Sequence, residues 1–257
     1  MNAAISLPRV IGLARWNAVL LTRNTLTMLY GVVMPLAPLA FLFTGDRGDR
    51  GAGAAAIVFT VSVAVLFPVY YNLLSQFVTR RDELVLKRLR TGEIRDAELL
   101  GAMALPGVVV AVAVSVVSVP VALALGQSAP LNPLLYLVAV VATSALFVAF
   151  AFWTAAWTRN AEAAQMTSLP VILLAVAGQM IAVFPESAQR WVELTPGAAM
   201  TGLVRSSWFG LEGSGTERTL DLADTWAAAG RPLLVLLAWT GLAAWLAARS
   251  MQWEPRP

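Results

Sequence analysis

From Arg80 to Gly92 the chain reads Arg-Arg-Asp-Glu-Leu-Val-Leu-Lys-Arg-Leu-Arg-Thr-Gly, its densest run of charge. Guanidinium, ammonium and carboxylate groups at this spacing can make charge-assisted hydrogen bonds to a partner surface. They supply no nucleophile. The 257 residues include no cysteine and no histidine, which removes the thiolate, the commonest general base and the commonest metal ligand together. The chemistry on offer here is recognition.

Read as a helix, this run places Val78, Val85 and Leu89 on one stripe with Leu86 beside it, and turns Arg81, Leu84, Lys87 and Arg88 to other faces. Glu83 and Lys87 form a favourable i,i+4 pair, and Gly92 is placed to stop the helix. Asp96 and Glu98 then suit the N-terminus of whatever follows. The spacing therefore predicts one short amphipathic helix. On charge alone, the plainer reading is a topology anchor or a contact to anionic lipid.

The elements around this run decide its setting. Asn24–Gly45, Gly51–Thr79, Leu99–Thr158, Ala163–Pro185 and Pro232–Ala248 contain no ionisable side chain except tyrosine, in a chain that is 58% hydrophobic and 13% charged. A bilayer core takes about 20 helical residues to cross, so the chain is read as an all-α, multi-pass membrane protein. Six spans are expected, near residues 26–43, 54–74, 100–125, 131–157, 168–184 and 233–248. Residues 1–25 are expected to form an interfacial helix, 75–98 a cytoplasmic coupling segment, and 185–231 an external loop with short helices. Gly126, Pro130 and Pro133 mark a tight turn between the third and fourth spans. In the external loop, Thr195–Val204 is too short to span. It reads either as a surface helix or as one dipping into the outer leaflet, with Pro196 in its first turn.

Basic residues set the orientation. With the N-terminus inside, twelve Lys and Arg lie on the cytoplasmic side and six outside, so both termini are expected in the cytoplasm. The net charge of +3 reports this asymmetry and gives no reason to expect nucleic-acid binding. Seventeen arginines to one lysine, in an alanine-rich chain, suggest a GC-rich bacterial genome and hence a bacterial plasma membrane.

The order of these features resembles the permease subunits of ABC-2 type exporters. In that family the second span is followed by Arg-x-Glu-x-x-Leu-x-x-Leu-Arg, a turn, and an acidic start to the third span. Arg81, Glu83, Leu86, Leu89, Arg90, Thr91 and Glu98 match; Leu84-Val85 stands where Gly-Thr is frequent, and Gly92 where Pro often follows. The resemblance implies that Arg81, Glu83, Leu84, Lys87, Arg88 and Arg90 form the coupling surface for a separate ATPase. It implies two ATPase copies and a second permease, identical or paralogous. The only lysine, Lys87, does not follow a glycine, so no phosphate-binding loop of the Gly-Lys-Ser/Thr type is present. ATP and magnesium are accordingly expected on the partner, with no cofactor in this chain.

Within the spans, Asn72, Gln165, Thr167 and Gln179 are the hydrogen-bonding candidates for a substrate path, although buried amides also serve as interhelical glue. A path without charge suits a hydrophobic or amphipathic small molecule, such as an antibiotic or another drug-like natural product, or a lipid. A secondary transporter would call for intramembrane ionisable groups or repeats. A membrane anchor or signalling partner, whose basic loop only sets topology, is the other alternative.

Overall fold

Apolar runs cut off from water can satisfy their peptide groups only as helices or closed barrels, and the regular elements among the described residues are helices. The computed structural model describes residues 6–23, 25–43, 46–90, 94–213 and 219–254. In chain order these contain α1 (Leu7–Arg23), α2 (Leu29–Phe43), α3 (Arg50–Asp82), α4 (Val85–Arg90) and α5 (Asp96–Ala124). They continue with α6 (Pro133–Trp157), α7 (Ala163–Ala177), α8 (Glu186–Val192), α9 (Pro196–Phe209) and α10 (Leu222–Ser250). Among the described residues five helices are long and apolar enough to cross a membrane: α3, α5, α6, α7 with its 3₁₀ extension, and α10.

Five of the six expected spans coincide with these helices, with shifted ends. The second runs on from residue 74 to Asp82, and the sixth begins at Leu222 instead of 233. The run expected at 26–43 is irregular. It opens with an α-helical turn at Thr25–Met28, passes into a π-helix at Leu29–Val33 and closes as a 3₁₀-helix at Ala37–Phe43, because Pro35 and Pro38 each remove an N–H donor. In α3, Pro68 sits in a π-helical segment, Val65–Tyr71. Gly107 of α5 lies so close to the Pro68 carbonyl that a methyl group would collide with it; small residues allow such backbone approach between helices.

The core lies where α3 and α6 meet, and α10 packs along α6. Tyr70, Phe77, Phe147 and Phe150 are fully buried there. Tyr70 meets Phe147 edge-on at 6.1 Å, and Phe150 meets Trp239 at 5.9 Å, favourable arrangements for ring quadrupoles. The turn between α5 and α6 is as tight as expected. Gly126 adopts φ +88°, and the Asn132 side chain accepts from the Leu135 N–H at 3.0 Å to cap α6.

The largest departure concerns α9. Its N-cap Thr195 accepts from Ala198 N–H at 3.3 Å, Pro196 opens its first turn, and Gly210 ends it at φ +63°. The helix is not on the surface: Gly197, Met200, Leu203, Val204, Trp208 and Phe209 are buried. Phe209 lies against Gly53, and Met200 Sδ is 3.8 Å from Ser62 Oγ. Nine residues on each helix separate these contacts. At 1.5 Å per residue, α9 therefore runs antiparallel to α3 and descends about 14 Å into the bundle.

Candidate functional site

The charged run divides in two. The helix α3 continues through Arg81 to Asp82, then Glu83 and Leu84 form a turn, and α4 restarts at Val85. The continuous helix expected from Arg80 to Gly92 is thus corrected. Leu84 has φ +59°, a left-handed conformation that costs a side-chain-bearing residue roughly 1–2 kcal/mol and glycine almost nothing. This is where the resemblance puts a frequent glycine. The break also separates Glu83 from Lys87, so the expected i,i+4 pair is replaced. Lys87 Nζ instead reaches Glu254 of the C-terminal segment at 2.9 Å and holds that carboxyl below the usual carboxylate range. Trp253 beside it packs on Phe77 at 5.9 Å.

The short helix α4 is pinned by Leu86, which is fully buried, with Val85 and Leu89 half-buried next to it. Glu83, Leu84, Lys87 and Arg88 are exposed. Thr91, Gly92 and the Arg90 side chain lie outside the described residues. A cationic, solvent-facing lever therefore stands on an apolar foot.

Arg80 and Arg81 root this lever in opposite directions. Arg80 Nη2 donates to Asn17 Oδ1 at 2.7 Å, and Asn17 Nδ2 donates to the Ala102 carbonyl of α5 at 2.8 Å, binding α1 to the lever root. The N-terminal end of α1 is held too, because the Ser6 N–H donates to Glu98 at 2.6 Å. Arg81 turns inward and is 0% exposed. Its guanidinium donates to the carbonyls of Ala155, Thr158 and Arg159 at 2.9, 2.7 and 2.9 Å. These groups belong to the end of α6 and the residues just after it, where carbonyls lack helical partners. Of the coupling residues the resemblance implies, Arg81 alone is enclosed by the bundle among those with described side chains.

The candidate path residues do not converge. Asn72 turns back to the Pro68 carbonyl of its own helix at 3.5 Å. Gln165 is exposed in the first turn of α7. Thr167 joins Thr158 through their hydroxyls at 2.8 Å, bridging α7 to the end of α6. Gln179 Nε2 donates to Ser62 Oγ of α3 at 2.8 Å.

Gln179 also edges a cavity of about 530 Å³ between the end of α7, α9 and α10, whose rim includes Glu193, Arg205, Glu212 and Arg231. Arg231 pairs with Glu193 at 3.0 Å, and Arg205 Nε donates to the Gly213 carbonyl at 3.0 Å. Its floor is made of small residues, among them Gly178, Ala198, Ala199 and Gly202. The volume falls within the usual range for small-molecule sites. An uncharged path was expected from the sequence; this cavity is charged, because α9 folds inward and α10 begins early enough to include Arg231. Clustered small residues at Gly197-Ala198-Ala199 and Ala227-Ala228 were the available signal.

Residues 35–249 match a family model described as ABC-2 family transporter protein. No curated protein matches the chain.

Proposed function

The chain belongs to the ABC-2 transporter family, and on that premise we propose that it is the permease subunit of an ATP-driven exporter in a bacterial plasma membrane. Membership implies an ABC ATPase as partner. The finer reading is that two ATPase copies dock on α4 of two permeases, identical or paralogous, and that ATP and magnesium reside on the partner. The observation that carries it is the exposed cationic face of α4, formed by Lys87 and Arg88 and mounted on the buried Leu86.

Six spans with both termini inside is the topology that accompanies this reading. Twelve residues from Thr25 to Leu36, five of them π-helical, rise at most about 18 Å, and the seven of Ala37–Phe43 add about 14 Å at the 3₁₀ rise. The irregular first segment thus matches a bilayer core of about 30 Å. α1 is the interfacial helix of this scheme.

The cargo is a hydrophobic or amphipathic small molecule or a lipid. The cavity edged by Gln179 suits the amphipathic case, because its floor is apolar and its rim carries both charges. Replacing Lys87 and Arg88 by glutamate, with the ATPase co-expressed, tests the reading. Efflux of amphipathic compounds should be lost while the chain remains inserted; unchanged efflux at normal expression overturns the lever assignment.

A further inference from the structure

The buried guanidinium of Arg81 ties the lever to one particular part of the bundle. Arg81 is the second-last residue of α3, two residues before the Glu83–Leu84 break. Its three acceptors belong to the α6–α7 corner at Ala155, Thr158 and Arg159. A cation at a helix C-terminus is also favoured by the macrodipole.

The same corner is cross-linked by hydroxyls. Thr158 Oγ1 donates back to the Thr154 carbonyl at 2.8 Å, and its oxygen lies 2.8 Å from Thr167 Oγ1 of α7. Thr154 Oγ1 meets the Tyr70 hydroxyl of α3 at 3.1 Å. Thr154, Thr158 and Tyr70 are all fully buried, so no water competes for these bonds.

From Thr167, α7 leads to the outer cavity. Near its far end Gly178 is in backbone contact with Ala198, and Gly197 with Ala175, so tightly that neither glycine has room for a methyl group. These contacts join α7 to the foot of α9, which floors the cavity. α7 is also among the less enclosed spanning helices, with 28% of its most apolar stretch buried against 78% for α3. Loosely packed elements are those that move at low cost.

We propose that Arg81 is the positioning residue that converts displacement of α4 into displacement of α7, and so of the α9 floor of the outer cavity. The inference rests on the exporter reading, in which α4 is what the ATPase pushes. Arg81 need not touch the ATPase for this; it acts through the α6–α7 corner. Lysine keeps the charge but offers a single ammonium, which cannot reproduce the planar fork that spans three carbonyls.

The chain has no native cysteine, so paired spin labels can be placed without background. Leu173 on α7 and Val109 on α5 are 66% and 56% exposed and serve as label sites. Distances are measured in the complex with its ATPase, nucleotide-free and trapped with ATP and vanadate. The parent pair should shift by an amount on the order of 2 Å. In Arg81→Lys the shift should fall at least twofold while the ATPase stays bound and hydrolyses ATP. Thr167→Val, which cuts the corner downstream and leaves Arg81 in place, should do the same if the lysine variant does not fold. An undiminished shift in either variant, with the ATPase bound, overturns the role of Arg81 and leaves the exporter reading intact. No shift in the parent pair overturns both.

Discussion

Gly197→Ala tests the inward position of α9 directly. A methyl group at Gly197 would meet the Ala175 carbonyl and the Leu174 carbonyl behind it, both backbone groups of α7. Neither can rotate aside, so the helices must separate. Overpacking typically costs 1–3 kcal/mol, and contact with backbone instead of a flexible side chain puts this site at about 3 kcal/mol. For a chain of this size that corresponds to a fall in Tm of roughly 6–12 °C. Gly230 and Gly241 of α10 have nothing within 4 Å of a built methyl group. Alanine at either should be neutral, or stabilising by up to about 1 kcal/mol through helix propensity. The assay is thermal unfolding of the detergent-purified chain followed by tryptophan fluorescence. If Gly197→Ala melts within about 2 °C of Gly241→Ala, a difference of at most about 1 kcal/mol, the close packing of α9 on α7 is refuted.

Further outcomes follow from single contacts. Asn132 caps α6 and also donates to Thr225 Oγ1 at 2.9 Å, so Asn132→Ala should cost about 2 kcal/mol, read as a shifted melting curve. Gln179→Leu should cost about 1 kcal/mol, since Ser62 keeps its bond to the Val58 carbonyl; altered substrate preference in an efflux assay would show that Gln179 also touches cargo. Leu84→Gly should leave Tm equal or higher, by relief of roughly 1–2 kcal/mol of left-handed strain. Because Lys87 depresses the Glu254 carboxyl, the pair is intact above the ordinary carboxylate range and breaks as pH falls through the lowered folded value. Carboxyl NMR should therefore show Glu254 titrating at higher pH in Lys87→Gln.

Charge was the most legible feature of the sequence, because an ionised side chain inside a bilayer is expensive and marks where apolar runs end. The tight turn at Gly126–Pro133 was legible for a similar reason: glycine at φ +88° and the asparagine cap leave the chain few alternatives. Arg81 was not legible. It follows Arg80 with the same charge, yet the turn of about 100° between successive helical residues sends one to Asn17 and the other into the core. The break at Leu84 has neither glycine nor proline to announce it; the glycine at 92 pointed to a later stop. The depth of α9 is a tertiary property. Thr195–Val204 has the composition of a surface helix as much as a buried one, and only Gly197 against α7 distinguishes the two. The cavity edged by Gln179 stayed hidden with it, because its charges come from segments that read as an external loop.

An exporter of this kind needs a motor subunit docked at α4. The tagged chain should be purified from native membranes in mild detergent and its companions identified by mass spectrometry. A stoichiometric soluble protein with a phosphate-binding loop, lost when Lys87 and Arg88 become glutamate, is the predicted result. A chain that comes out alone, or a companion ATPase retained in full by that variant, contradicts docking at α4.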